Sequence, residues 1–291
     1  MSDFLQLLFQ GLGIGAIYAL VSLGFVLLIR AASVVNFAQG EFSMLGAYAM
    51  VVLFNILGVP YLLGMVLAVV LMTAFGPIFA YITYWPLRFR GGLPVIISTI
   101  GASIFLQNIV LVLYGPTSVP LDGLFESDGF QIGEVFLASQ YLAIMAIAVL
   151  LVGLQYLIFE KTLLGKKLQA TSQDKEMASL LGIPVVAMIM ITFAYSSAMG
   201  GLAGILVAPI LFVSVNMAAT ITLKAFAANI IGGYGSIPGA ILGGIAIGVA
   251  ETMGAAYISV PYKDAFAFIV LLLFLAVRPQ GLFGEKISEK A

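Results

Sequence analysis

A chain of 291 residues that is 62% hydrophobic and only 9% charged cannot clothe a water-facing surface, because soluble domains carry about 25% charged residues. It has no Cys and no His, so it lacks disulfides, thiolate nucleophiles, imidazole bases and the commonest metal ligands. A net charge of −1 offers nucleic acid no basic field. The solvent for most of this chain must be lipid, and its work is expected to be transport rather than chemistry.

From Met1 to Phe4 there is no positive region, and the apolar run that follows is too long for a signal peptide. A retained first span is expected there. Apolar runs place spans near 5–29, 42–57, 61–85, 94–114, 137–159, 185–213 and 263–278, each judged against the roughly 20 residues that a crossing needs. Gly58 and Pro60 mark the turn between the second and third. The stretch 221–257 is interrupted at Gly232–Gly239 and reads as a short helix followed by a longer one. The expected fold is an all-α, polytopic integral membrane bundle of about eight transmembrane helices, as a single domain over 1–291, with one broken or re-entrant segment.

Orientation follows from Lys and Arg, which gather on the cytoplasmic side. Arg88 and Arg90 follow the third span, Lys161, Lys166, Lys167 and Lys175 follow the fifth, and Arg278, Lys286 and Lys290 form the tail. The loop 115–136 holds Asp122, Glu126, Asp128 and Glu134 with no Lys or Arg, so it is expected outside. Alternation then puts the N-terminus outside and the C-terminus in the cytoplasm. It also requires 221–257 to begin and end on the outer side, and a break inside the membrane points to a translocation site.

Glycines recur at four-residue spacing in the pairs Gly11/Gly15, Gly200/Gly204, Gly239/Gly243 and Gly244/Gly248. In lipid such spacing lets helix backbones approach closely. Two polar stretches, 34–50 and 222–240, each follow a long span, and those spans run in opposite directions. An inverted repeat is one reading of that pattern.

Three polar segments could carry function. In the first, Asn36, Gln39 and Glu41 open a hydrophobic helix near the cytoplasmic face. Glu41 either lines a path or complements the helix N-terminus beside Arg30. In the second, Gly233, Tyr234 and Gly235 echo a potassium-channel filter, but Ile231 and Gly232 stand where Thr-Val should precede, and a bend is the plainer reading. Nearby, Lys224, Lys263 and Asp264 are expected near the outer face, where long side chains reach water. Glu251 is left in mid-helix or its outer half, as a coupling carboxylate or a helix–helix partner. In the third segment, 160–184, Thr171 and Asp174 have the spacing of a capping box, and Gly182 and Pro184 form a stop. A helix of about ten residues outside the membrane is expected at 172–181, suited to a partner's groove or to lipid headgroups.

Taken together, NFAQGE…LGAY at 36–48, GKKLQA…MASLLGIP at 165–184, KAFAANIIGGYGSIPGAILGG at 224–244 and RPQGLFG at 278–284 resemble the branched-chain amino-acid permeases of bacterial ABC importers. Gln39 stands where that family usually has His, and Gln169 where a basic residue is common. The resemblance implies a bacterial inner-membrane subunit that works with a second homologous permease, two cytoplasmic ATPase subunits and an extracytoplasmic binding protein delivering leucine, isoleucine or valine. The loop 160–184 would then carry the coupling helix, with Lys166, Lys167, Asp174, Ala178, Leu181 and Gly182 as coupling residues. The candidate path residues are Asn36, Gln39, Glu41, Asn229 and Ser236. The chain has no phosphate-binding loop, so ATP would be used by the partners and no cofactor is expected here. Rival readings are a permease for urea or another small amide, an ion-coupled carrier depending on Glu251, and a passive channel.

Overall fold

The computed structural model describes residues 2–124, 129–132 and 135–283. Met1, Glu126, Asp128, Glu134, Gly284, Lys286 and Lys290 lie outside those residues. The centre of the molecule is α1 (Ser2–Ala32), buried almost continuously from Gly11 to Leu28. A helix apolar on every side needs neighbours on every side.

Along α1 runs α10 (Ile237–Tyr257) in the opposite sense, with Gly11 and Gly15 set directly against the backbone of Gly244, Ile245 and Gly248. The same kind of antiparallel contact joins α3 (Tyr61–Thr83) to α8 (Val185–Leu211). There Gly76 lies on the Phe193 backbone, Gly201 on Met72, and the Ser197 hydroxyl donates to the Met72 carbonyl at 2.8 Å. Where lipid removes the hydrophobic drive, this close approach holds helices together. Between the long helices stand two short ones, α2 (Gln39–Val51), prolonged by a π turn at Val52–Ile56, and α9 (Met217–Gly232). The pattern long–short–long therefore occurs twice, and the pairing of α1 with α10 mirrors that of α8 with α3. That reciprocity is the form an internal repeat takes.

The remaining helices are peripheral. α4 (Gly92–Tyr114) and α5 (Ser139–Lys161) are mostly exposed, and an antiparallel hairpin of β1 (Gly129–Ile132) and β2 (Val135–Ala138) joins them. α11 (Lys263–Val277) closes the described bundle. Two short helices, α6 (Leu163–Gln173) and α7 (Lys175–Leu180), cap one end, called here the charged end. Among the described residues six helices are long and apolar enough to cross a membrane: α1, α3 with its 3-10 extension to Leu87, α4, α5, α8 and α10. α2, α9 and α11, with 13, 16 and 15 residues, fall short of the roughly 20 that a full crossing takes.

Two expectations need correction. The Gly232–Gly239 interruption does not lie at mid-depth in the bundle. It is a hairpin turn at the charged end, where the Arg30 Nε donates to the Gly235 carbonyl at 2.7 Å, and the amides of Leu282 and Phe283 bond the carbonyls of Ile231 and Gly232. Gly233 and Gly235 take φ of 104° and 82°, which only glycine adopts freely. The hairpin does begin and end at the far end, as the charge pattern requires.

The second correction concerns the expected helix at 172–181. It is two helices, because Thr171 is inside α6, its hydroxyl bonded to the Lys167 carbonyl. Asp174 alone caps α7, accepting from the amides of Glu176 and Met177 at 2.9 and 3.0 Å. The stop is as expected: Gly182 has φ 77°, and the Gly182 and Ile183 amides close back on Ser179 and Ala178. Asp174→Ala is expected to lose about 1 kcal/mol of local stability, the usual worth of an N-cap. Faster amide exchange confined to 174–182 would register it.

Candidate functional site

The irregular backbone at membrane depth is the link 33–38 between α1 and α2. Ser33 has φ 59° and ends α1, and Val34 to Ala38 are buried or nearly so. Unwound backbone is tolerated there only if protein satisfies it. The Phe37 amide donates to the Thr99 hydroxyl of α4 at 3.2 Å, the Ala38 amide to the Asn36 side chain at 3.1 Å, and the Gly40 amide to the Thr222 hydroxyl of α9 at 2.9 Å. Two other helices and the link's own Asn36 thus supply the partners that the first turn of α2 lacks.

That first turn sits deep in the bundle. The Gln39 Nε2 donates to the Ser196 carbonyl at 3.2 Å, and the Ser196 hydroxyl lies 2.8 Å from Gln39 Oε1 and 3.1 Å from the Gly24 carbonyl. Glu41 Oε1 accepts from the Ser103 hydroxyl and from Gln107 Nε2, both at 2.6 Å. Ser196 and Ser103 each stand eleven residues inside their helices from the charged end, a rise of about 16 Å at roughly 1.5 Å per residue. In a hydrocarbon layer of about 30 Å that is the middle. Gln39 and Glu41 were expected near the cytoplasmic face; the structure puts them at mid-depth, because α2 is the half-length helix. Glu41 is held by Ser103 and Gln107 rather than by Arg30. Its Oε2 and the Asn36 Nδ2 are buried with no hydrogen-bond partner among the described residues.

The five candidate path residues therefore fall into two groups. Asn36, Gln39 and Glu41 converge at the start of α2. Asn229 and Ser236 belong to the hairpin turn: the Gly235 amide donates to Asn229 Oδ1 at 3.3 Å, and the Gly239 amide to Ser236 Oγ at 3.2 Å, which caps α10. Ser236 also lines a cleft of about 900 Å³ at the charged end, with Arg30, Glu160, Gln169 and Ser172. Ser103, Gln107, Thr99 and Ser196 complete the mid-depth site and were missed. The available signal was that Gln107 and Asn108 interrupt an otherwise apolar span.

Lys224 differs most from expectation. It does not reach water but is 2% exposed, 2.8 Å from Glu251 and 2.6 Å from Asp264, with the Tyr18 hydroxyl donating to Glu251 Oε2 at 2.9 Å. Glu251 is thus a partner between helices α1, α9 and α10.

At the charged end, α6 is anchored by Leu168 in a cluster with Leu27, Phe159 and Met188, and by Gln169, whose Nε2 donates to the Phe159 carbonyl. Lys166 and Lys167 face out. Lys175 reaches back to the Ala32 carbonyl at 2.8 Å, and burial draws its pKa below the ordinary lysine value. On α7 the small residue Ala178 is buried, whereas Met177, Leu180 and Leu181 are 57%, 81% and 78% exposed. The exposed apolar surface here is therefore the leucine pair, with Ala178 turned into this chain.

The described residues form an all-α, polytopic membrane bundle with a short helix opening at mid-depth and an apolar knob on its charged end. Residues 7–275 match the family described as branched-chain amino acid transport system / permease component. The chain is 36% identical to the high-affinity branched-chain amino acid transport system permease protein LivH of Escherichia coli, covering 99% of this chain and 97% of that protein. It is 33% identical to the corresponding protein BraD of Pseudomonas aeruginosa, covering 99% and 98%. A probable branched-chain amino acid transport permease of Methanocaldococcus jannaschii is 30% identical over 91% of this chain and 88% of its own length. The solved structure of PsaBC from Streptococcus pneumoniae in complex with Fab aligns with a TM-score of 0.50 at 14% identity, over 96% of this chain and 93% of that one; it attests the fold alone. The chain belongs to the branched-chain amino acid permease family.

Proposed function

We propose that this chain is the membrane-spanning permease subunit of an ABC importer and passes branched-chain amino acids (leucine, isoleucine, valine) across the bacterial inner membrane. The observation that carries the reading is the polar start of α2 at mid-depth, where Gln39 faces α8, Glu41 faces α4, and Asn36 accepts from the Ala38 amide beside them. A buried carboxylate with a spare oxygen and an amide with a spare donor are costly in lipid. They are retained where a polar solute must be handed through. Asn229 and Ser236 brace the hairpin at the end of that path, beside the charged-end cleft.

The charged end is cytoplasmic in this reading, since Arg30, Arg88, Arg90, Lys161, Lys166, Lys167, Lys175 and Arg278 all cluster there. The N-terminus is then outside and the C-terminus inside. Work comes from two ATPase subunits docked on α6 and α7, with a second homologous permease beside this one and a binding protein delivering solute from outside. Asp174 and Gly182 set the ends of the knob, Leu181 with Leu180 fills the ATPase groove, Ala178 seats the helix, and Lys166 and Lys167 flank it. ATP binding elsewhere biases which side the path faces.

The pair Leu180→Glu/Leu181→Glu tests this. Both side chains are exposed, so the permease itself is expected to fold normally. Co-purification of the ATPases is expected to fall at least about tenfold, as for a central contact worth 2 kcal/mol or more, and ATP-driven leucine uptake in vesicles to fall with it. Full assembly and uptake by this variant would overturn the docking assignment.

A further inference from the structure

At the far end of the bundle, between the last turn of α8 and helices α9, α10 and α11, lies a cleft of about 210 Å³. Four charges cross it in series. Asp264 Oδ1 is 2.6 Å from Lys224 Nζ, Lys224 Nζ is 2.8 Å from Glu251 Oε1, and Glu251 Oε1 is 3.3 Å from Lys263 Nζ. Lys224 and Glu251 form the buried floor, while the Asp264 side chain is 67% exposed at the rim. Glu251 Oε1 lies close to two ammonium groups yet accepts no aligned hydrogen bond among the described residues. Leu211, Met217 and Ile221 supply an apolar wall.

We propose that this cleft receives a zwitterionic α-amino acid with an aliphatic side chain, inserted between Lys224 and Asp264. The proposal rests on the reading of the chain as an amino-acid permease. The ligand carboxylate replaces Asp264 on the Lys224 ammonium, the ligand ammonium pairs with the released Asp264, and the side chain lies against Leu211, Met217 and Ile221. Only Asp264 has to move, and it is the one member of the floor–rim pair already in water. The four side chains sum to zero charge. In a partly desolvated cleft a net charge is expensive, so a ligand that brings both signs exchanges with the Lys224–Asp264 pair without leaving either uncompensated. A plain anion leaves the cleft with a net negative charge, and a plain cation leaves it with a net positive one. The site therefore selects for the two groups that every α-amino acid shares, and the wall selects for an aliphatic chain.

The test uses the complete transporter, permeases with their ATPases, purified without nucleotide and without the external binding protein. Binding of radiolabelled leucine is measured, with isocaproate (no ammonium) and isoamylamine (no carboxylate) as competitors. Leucine is expected to bind, valine and isoleucine to compete, and each one-charge analogue to be at least about tenfold weaker, the loss of one charge-assisted contact. Asp264→Asn, at the exposed rim, is expected to weaken leucine about tenfold for the same reason. Lys224→Met/Glu251→Gln, which leaves no buried charge unpaired, is expected to remove binding at this site. One-charge analogues that compete as well as leucine, or both variants binding leucine like the parent, would overturn the inference. So would the absence of leucine binding by a transporter that still takes up leucine with ATP. A transporter that takes up no branched-chain amino acid overturns the substrate reading first and this inference with it.

Discussion

Gly248→Leu is expected to abolish recovery of folded permease. A Cβ at position 248 would land on the Gly15 backbone and the Gly11 carbonyl, and a Cβ at Gly15 would meet Gly244 and Ile245 in turn. Side chains can turn away from an intruder, but two helix backbones cannot. Overpacking usually costs about 1–3 kcal/mol and sometimes more, and here the whole α1–α10 seam must part, in a protein whose whole stability is about 5–15 kcal/mol. Size-exclusion profiles of detergent-solubilised protein and thermal melting would report the loss. Gly101→Leu and Gly153→Leu are the matched controls, since nothing lies within 4 Å of a Cβ at either. Both are expected to behave like the parent. A monodisperse, parent-like Gly248→Leu protein would mean that α1 and α10 do not pack through this seam.

Lys224→Met is expected to be the second most damaging change. It leaves Glu251, 1% exposed, without its closest counter-charge. Breaking one half of a buried ion pair typically costs about 3–5 kcal/mol, largely from the charge left behind. Lys263 stands 3.3 Å away and the Tyr18 hydroxyl still donates, so the loss should sit toward the lower part of that range. Adding Glu251→Gln removes the stranded charge and is expected to restore most of the melting temperature. This cycle separates charge burial from packing. A double variant as unstable as Lys224→Met alone would show that Lys224 acts through its bulk, and not through its pairing with Glu251.

Much of the fold was legible because lipid is a simple solvent. Apolar runs located most spans to within a few residues, and the four-residue glycine spacing at 11/15 and 244/248 marked the seam between α1 and α10. Gly182 announced the end of α7, since a φ of 77° is a glycine conformation. The functional site was half legible. Asn36, Gln39 and Glu41 stood out as polar residues at the head of an apolar helix, but Ser196, Ser103 and Gln107 come from helices far away in sequence, and no local pattern pairs them. Lys224 misled because a lysine near a helix end normally reaches water; its counter-ions lie 27 and 40 residues onward and become neighbours only when α9, α10 and α11 pack.

The amino-acid sequence by itself determined the solvent, the helices, the charged end and the family, all of which depend on composition, period and motifs carried along one segment. Depth was decided by tertiary structure. Whether a polar helix start lies at the membrane surface or in its middle depends on which neighbours satisfy its polar groups: Thr99 and Thr222 take backbone amides and the Ser196 carbonyl takes the Gln39 side chain, from three other helices. The same holds for the glycine-rich break, which is a surface hairpin because Arg30 and the residues after Pro279 meet it there. Partners of this kind are set by packing across the bundle, and packing is a property of pairs of segments that no single segment encodes.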